Sequence, residues 1–92
     1  MANNRWNYGG TKTFATTDAG YVTDLSIACN KIMIQPHEDN VGSICISSII
    51  GVTDDWVIWS KGDIFIENVS NARDIIVKVK EAGDKVRWQV AI

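Results

Sequence analysis

The sequence predicts an all-β protein: a small antiparallel β-sandwich, jelly-roll-like or a small barrel, with an extended N-terminal arm. From residue 22 onward there are twenty-two isoleucines and valines but one leucine, and branching at Cβ favours strands over helices. Short apolar segments recur at spacings of roughly 8–12 residues between turn-forming residues, as in sandwiches and barrels. No segment has the helical periodicity that a covering helix would need.

Length and charge narrow the class of protein further. A chain of 92 residues forms one domain with a thin core, which oligomerisation or docking on a larger object would help to stabilise. The net charge of −2 gives no electrostatic basis for binding nucleic acid. Apolar runs are too short for a membrane span and no secretory signal pattern is present, so we expect a protein kept in the cytosol unless it leaves within an assembly.

Residues 1–21 differ from the rest of the chain and are predicted to form the arm, with the sandwich domain spanning residues 22–92. This segment is polar and glycine-rich, yet it holds four of the eight aromatic residues: Trp6, Tyr8, Phe14 and Tyr21. Disordered tails are normally poor in aromatic residues. We therefore expect these four rings to bind a partner. In the alternative, the segment folds back and covers an edge strand of its own domain.

Two longer strands are predicted next, over residues 26–35 and 43–50. In the first, the alternation of apolar residues shifts phase near Asn30 and Lys31, which predicts a β-bulge. Residues 36–42 connect the two strands, because Pro36 cannot donate to a ladder and the residues after it favour turns. Residues 56–59 and 64–69 are predicted to form two further strands.

The C-terminal segment has the clearest strand pattern. Ile75, Val77 and Val79 share one face of a strand over residues 74–80, and a turn at residues 81–84 contains Gly83, which is free to adopt positive φ. The return strand, residues 85–90, turns Val86, Trp88 and Val90 toward the core. Two alternating runs around a glycine turn predict a β-hairpin.

No catalytic apparatus is evident in the sequence. His37 is the one histidine, and although Glu38 and Asp39 follow it, consecutive loop residues point in different directions, so a solvated turn is the favoured interpretation. Neither Cys29 nor any serine lies in a nucleophile motif of the Gly-x-Ser-x-Gly kind. We expect Cys29 and Cys45 to be reduced, with a disulfide across neighbouring strands as the alternative.

Metal and cofactor sites are not expected either. One histidine and two distant cysteines do not supply four zinc ligands. The acidic residues of 38–40 and 54–55 lack the spacing of a calcium loop, although calcium shared at a junction stays an alternative to ordinary turns. The run Gly9-Gly10-Thr11-Lys12 lacks the pattern of a phosphate-binding loop.

The tryptophans suggest an alternative function, because β-sandwich proteins that bind carbohydrate present aromatic rings as platforms for sugars. Trp56 and Trp59 fall on opposite faces of their predicted strand, since side chains alternate. One of these two rings, together with Trp88, is therefore expected in the core. A carbohydrate-binding or receptor-binding module stays an alternative function, and a small cupin-like enzyme is poorly supported because such enzymes use several histidines.

The run from Lys31 to Ile92 resembles the small β-sandwich virion proteins of tailed bacteriophages, especially capsid decoration (cement) and head-accessory proteins. The likeness lies in the layout: a strand at residues 31–35, an Asn-x-Gly turn at 40–42, a strand at 43–46, a Lys-Gly-Asp turn at 61–63 before a strand at 64–69, and a Gly-Asp turn at 83–84 before the C-terminal strand. The longer, aromatic arm departs from this layout and leaves open a place in a tail or fibre.

The resemblance implies a structural virion protein, assembled in the host cytoplasm. It implies a homotrimer or dimer bound to the major capsid protein or another virion protein, with no enzymatic activity, cofactor, nucleic acid or membrane involved. Mechanistically, we expect a rigid sandwich whose arm crosses to a neighbouring subunit, where the four rings act as anchors.

Overall fold

The computed structural model describes residues 6–48 and 57–92. Within these ranges the chain forms seven strands and one 3-10 helix. The strands are β1 (Tyr8–Thr13), β2 (Lys31–Pro36), β3 (Ile44–Ser48), β4 (Val57–Trp59), β5 (Phe65–Asn68), β6 (Ile75–Val79) and β7 (Lys85–Ala91), and the helix is Ala72–Asp74. The prediction of a mainly β protein is confirmed.

The strands form two antiparallel sheets. The four-stranded sheet has the order β1-β7-β2-β5, and the three-stranded sheet has the order β4-β3-β6. Every strand pairing in the described residues is antiparallel. The four-stranded sheet therefore ends in β1 on one side and β5 on the other.

The pairings are nested along the chain. The first strand pairs with the last one, β2 pairs with β5, and β3 pairs with β4. Two isolated bridges continue the series between these pairs, Gly20 with Val77 and Ala28 with Asn71. The two halves of the chain thus run antiparallel to each other as one long ribbon, in which β3 and β4 are the innermost pair.

The hydrophobic core contains alternate side chains from both sheets. Ile32 and Ile34 of β2 and Val86 of β7 are fully buried. The same cluster includes Ile44, Ile46, Ile75, Val77, Val79, Trp88 and Val90. The inward residues predicted for the two C-terminal strands are all among these. Branched side chains pack efficiently on pleated strands, which explains why the Ile- and Val-rich segments form the sheets.

The predicted C-terminal hairpin is wrong, although both of its strands exist. β6 lies in the three-stranded sheet and β7 in the four-stranded sheet, so the turn between them crosses from one sheet to the other. Gly83 has a φ of 93°, as the turn prediction required. Alternation identifies the buried face of a strand but not its neighbour, and both strands bury their apolar faces in the same core.

The predicted strand over residues 26–35 is shorter in the structure. It begins at Lys31, where the phase of the alternation shifts, and the residues before it are irregular apart from the bridge at Ala28. The shift therefore marks the start of a strand and not a bulge. Pro36, assigned to the connection, is the last residue of β2 and lies opposite Val86.

The strands predicted at 43–50 and 56–59 correspond to β3 and β4. Ile49, Ile50 and Trp56 lie outside the described residues. The strand predicted at 64–69 is the shorter β5. Both observed strands thus start later than the predicted longer strands, and β2 ends one residue beyond the predicted end.

Part of the predicted arm forms an edge strand. Residues 8–13 are β1 and pair with β7 from Tyr8 opposite Val90 to Thr13 opposite Lys85. An extended arm therefore does not describe these six residues, whereas the alternative of a segment that covers an edge does. Exposed strand edges are commonly covered in this way.

Candidate functional site

The four aromatic residues predicted to bind a partner do not lie together. Trp6 and Tyr8 are neighbours at the start of β1, where Tyr8 is 47% exposed and Trp6 is half-buried. Phe14 is only 5% exposed and belongs to the core. Tyr21 is half-buried under Arg73, whose guanidinium carbon lies 4.3 Å from the ring centroid.

Trp6 and Tyr8 are among the residues that line a cleft at the β1 edge of the four-stranded sheet. The cleft has a volume of about 550 Å³ and its lining includes Trp6, Tyr8, Met33, Arg87, Trp88 and Gln89. We call it the aromatic cleft. The rings of Tyr8 and Trp88 lie 5.9 Å apart at an angle of 49°. Lys31 Nζ lies 5.1 Å from the centroid of the Trp6 ring, within cation–π range.

Two consecutive glycines, Gly9 and Gly10, also line this cleft. Gly10 lies opposite Trp88, and a Cβ added to Gly10 would lie 3.6 Å from the indole Nε1. A Cβ added to Gly9 would meet the Trp88 carbonyl oxygen and come within 2.9 Å of Gln89 Cα. At Gly9 the backbone of β1 therefore lies too close to the backbone of β7 to leave room for a side chain.

Asn7 holds the start of β1 against the end of β7. Its backbone amide donates to the Val90 carbonyl at 3.1 Å, and its side-chain Oδ1 accepts from the Ile92 amide at 3.0 Å. These two bonds position Trp6 directly before the strand. The rings at this end are thus fixed by backbone pairing and not by burial of the rings themselves.

An ion pair forms the polar rim of the aromatic cleft. Arg87 Nη2 donates to Glu38 Oε1 at 2.6 Å. A hydrogen bond from its own backbone lowers the pKa of the Glu38 carboxyl, the charge of Arg87 lowers it further, and desolvation opposes both. Both side chains are exposed, so the pair positions a charge at the rim more than it stabilises the fold.

The loop that carries Glu38 is clamped to the start of β7. Asn40 is buried, and its side chain donates to the Lys85 carbonyl and accepts from the Lys85 amide, both at 2.7 Å. The Asp84 carboxylate accepts from the amides of Val41 and Gly42. This clamp fixes the rim with respect to the sheet, and sequence reasoning missed it because turn residues were taken as solvated.

The residues weighed for catalysis are dispersed. Nδ1 of His37 accepts a hydrogen bond from the Asp39 amide at 3.1 Å, so it holds a local turn. Burial, and to a lesser degree the Asp74 carboxylate, raises the pKa of the Cys29 thiol, which disfavours the thiolate. Both cysteines are free.

The described residues offer neither a cluster of metal ligands nor a helix that could span a membrane. Residues 6–48 and 57–92 contain no group of three or more His, Cys, Asp or Glu side chains that could hold a metal ion. The acidic residues 54–55 lie outside these ranges. Among the same residues no helix has the length and apolar character needed to cross a membrane.

A second exposed apolar area lies at the opposite edge of the same sheet. Ile64 is 50% exposed and Ile66 is 54% exposed, and Ile66 lies opposite Met33, which also lines the aromatic cleft. Sequence reasoning placed these residues in a strand but assigned them no role. Their alternation with Phe65 was the available signal, since one of the two faces had to point outward.

The remaining tryptophans differ in their environment. Trp88 is 6% exposed, which confirms its predicted place in the core. Trp59 is half-buried and packs edge-on against Phe65, with ring centroids 5.5 Å apart. Its Nε1 is buried without a hydrogen-bond partner. Trp56 lies outside the described residues. Of the two tryptophans considered for a sugar-binding platform, the structure therefore describes only Trp59.

Comparisons with protein-family models, with curated proteins and with solved structures give no match.

Proposed function

We propose that this chain is a structural virion protein that decorates and stabilises a bacteriophage head shell, without catalytic activity. The observation that carries the proposal is that Tyr8 is exposed and Trp6 half-buried at the aromatic cleft, so that both rings retain accessible surface. Large exposed rings beside an arginine are typical of interface anchors. Ile64 and Ile66 extend the apolar character of this sheet toward its other edge.

The strand order supports a sandwich of the jelly-roll kind. A jelly roll is a long antiparallel ribbon of eight strands wound into two facing sheets, and viral capsid domains use it. Here the nested pairings form such a ribbon, and the bridge between Gly20 and Val77 occupies the place of one further strand beside β6. Side chains from both sheets in one core are consistent with packing of the sheets face to face.

The aromatic cleft would be the main contact with the shell. Trp6 and Tyr8 bury their exposed surface against the major capsid protein or another virion protein, and Arg87 and Glu38 at the rim fix the orientation. A homotrimer or dimer repeats this contact around a symmetry axis, so that modest single contacts add up through avidity. Phe14 contributes by holding β1 in place and not by touching the partner. Tyr21, stacked under Arg73, provides a smaller exposed surface.

The test is co-sedimentation with capsids assembled in the host cytoplasm. The variant Trp6→Ala/Tyr8→Ala should weaken shell binding by about tenfold or more, as expected for interface anchors. The control is Leu25→Ala, which removes a side chain that is 58% exposed but lies outside the cleft. Equal shell binding by both variants would contradict the proposal, and binding to tails instead would place the protein in a tail or fibre.

The second candidate function is carbohydrate binding in a receptor-binding module. The aromatic cleft favours it, because its volume is within the range of small-molecule sites, roughly 300–1,000 Å³, and it combines rings with Arg87, Gln35 and Gln89. A glycan array with the wild-type protein and with Tyr8→Ala tests it. Glycan binding lost in the variant would favour this function over shell decoration.

A further inference from the structure

β1 is held almost entirely through its backbone. Every residue from Tyr8 to Thr13 is exposed except Lys12, which is partly buried. The strand nevertheless pairs with β7 over six consecutive residue pairs. Its binding free energy therefore comes mainly from the hydrogen-bonded ladder, from the contact between the Tyr8 and Trp88 rings, and from Phe14, the residue that follows the strand.

The β7 edge accepts a specific sequence. Gly9 is required where the backbones approach closely, because a Cβ there would meet the Trp88 carbonyl. Phe14 fills a place in the core, while its amide donates to the Asp84 carbonyl at 3.0 Å and its carbonyl accepts from the Gly83 amide at 2.7 Å. A strand without glycine and phenylalanine at this spacing would not fit the edge.

The connection after β1 is loosely held. Residues 15–19 are all exposed. The side-chain hydrogen bonds seen within them are local, from Asp18 N to Thr16 Oγ1 and from Thr16 Oγ1 to Asp18 Oδ2, both at 3.3 Å. Beneath this connection lies a cavity of about 410 Å³ lined by Phe14, Asp18 and Tyr21, among others. We call residues 15–19 the hinge.

The hinge links the two sheets. It runs from Phe14, at the four-stranded sheet, to Gly20, which exchanges hydrogen bonds with Val77 of the three-stranded sheet at 2.8 and 2.9 Å. Residues on the far side of the hinge are thus anchored independently of β1. A segment that is anchored mainly through the β7 edge and one core side chain, next to an exposed hinge, has the arrangement that permits exchange between copies.

We infer that the β7 edge is an exchange site that binds residues 6–14 of a second copy of this chain. The contacts are the same whether the segment comes from its own chain or from its neighbour, so the hinge and the protein concentration set the balance. The inference rests on the proposed function, because it supplies the link between subunits of the homo-oligomer. The occupant is a second copy because the edge requires this chain's own glycine and phenylalanine.

Single-cysteine variants test the exchange directly. In a Cys29→Ala/Cys45→Ala background, one chain carries Thr11→Cys and another carries Arg87→Cys, two positions that face each other across β1 and β7. The two chains are unfolded, mixed, refolded and oxidised. Exchange predicts a disulfide between the two different chains, at a yield about tenfold or more above random collision.

The matched control replaces Thr11→Cys by Asp63→Cys, an exposed position in the turn before β5. A yield for the Thr11 and Arg87 pair no higher than for the control would overturn the inference, provided that a single chain carrying both cysteines closes its own disulfide. That internal disulfide shows that the two positions can be cross-linked when β1 pairs with β7, so a low yield between chains would mean that the pairing forms within one chain.

Hinge length provides an independent measurement without added cysteines. Deleting residues 16–18 strains closure within one chain but not exchange, so light scattering should show at least about a tenfold rise in the dimer-to-monomer ratio. A shortened chain that stays monomeric with protected β1 amides would overturn the inference. Both measurements use the pure protein, so loss of exchange with retained capsid binding refutes this inference alone, and the reverse result refutes the proposed function alone.

Discussion

β1 and β7 lie side by side and pair over the same six positions, but different forces hold them. In β7, Val86, Trp88 and Val90 are buried and both edges of the strand are paired. In β1 no residue is buried, and among residues 6–48 and 57–92 no strand pairs with its second edge. One strand therefore contributes side chains to the core and the other contributes backbone hydrogen bonds.

A strand of this molecule can thus pair with its neighbour without contributing side chains to the core. Burial of an apolar side chain contributes roughly 1.5–3 kcal/mol, whereas a net hydrogen bond contributes about 1 kcal/mol and is readily replaced by water at an edge. Removing β1 should leave the rest of the sheet folded, while damage to β7 should unfold the whole domain. The following changes test this difference, beginning with the largest effect.

Trp88→Ala should be the most damaging single change. It removes a buried ring from the centre of the four-stranded sheet and should lower the free energy of unfolding by about 3–5 kcal/mol. That loss is comparable with the whole stability of a small domain. Urea unfolding followed by circular dichroism measures it. The exposed neighbour Gln89→Ala is the control and should change stability by less than about 0.5 kcal/mol.

Phe14→Ala should detach β1 while the rest of the fold remains. Within residues 6–14 Phe14 is the one side chain that belongs to the core, and its loss should lower the free energy of unfolding by about 3 kcal/mol. Hydrogen exchange should show lost protection for β1 amides and retained protection in β2. Tyr8→Ala, which removes a half-exposed ring, should leave both strands protected. Equal loss of protection in β1 and β2 would show that the two regions unfold together.

Gly9→Ala and Gly10→Ala should differ although the residues are adjacent. Neither has positive φ, so the added methyl group acts through contacts alone. At Gly9 it meets the β7 backbone, and we expect a loss of about 1–3 kcal/mol. At Gly10 it makes ordinary contact with the Trp88 ring, and we expect little change or slight stabilisation. Equal melting temperatures for both variants would contradict the close approach at Gly9.

Asn40→Ala tests how the start of β7 is held from its other side. The change removes the partner of the Lys85 amide, while the Lys85 carbonyl still accepts from the His37 amide at 3.1 Å. One unpaired amide near the surface should cost about 1 kcal/mol. Thermal unfolding measures this cost against Asp39→Ala, whose side chain is exposed. A larger effect for Asp39 would mean that the clamp does not contribute.

The ion pair on the outer face of β7 should have the smallest effect. Because the pKa of Glu38 is lowered in the folded protein, its contribution is present above the unfolded-state pKa and is lost as the pH falls through the folded-state value. Arg87→Ala should raise that pKa part of the way toward its ordinary value, as measured by NMR titration of the carboxyl. Lys80→Ala is the control and should leave it unchanged.

The sequence predicts the positions of most strands but not their partners. Alternation located β6 and β7 and all their inward residues, because burial of one face is a local property of a strand. The same alternation could not show that β6 pairs with β3, since the paired residues lie 27 to 35 positions apart in the chain. A glycine turn between two alternating runs is compatible with a hairpin and with a crossing between sheets.

The role of the candidate site stays a prediction, and the sequence anticipated only part of its geometry. The high aromatic content of residues 1–21 drew attention to Trp6 and Tyr8, and both retain exposed surface in the structure. Phe14 stands among threonines and alanines, and no local pattern distinguishes a ring that enters the core from one that does not. The alternation of Ile64 and Ile66 with Phe65 showed that one face of this strand points outward, but not which face, and only the sheet order shows that β5 lies at an edge.

The nested pairing also affects how the chain folds. Tyr8 and Val90 must meet although nearly the whole chain separates them, and contacts between distant residues slow folding because a large loop has to close. During synthesis β1 leaves the ribosome long before β7, so its partner is missing until translation reaches residue 91. Until then β2 lacks its neighbour β7, and its unpaired edge is exposed to other nascent chains. Slow translation of the last twenty residues would therefore favour aggregation.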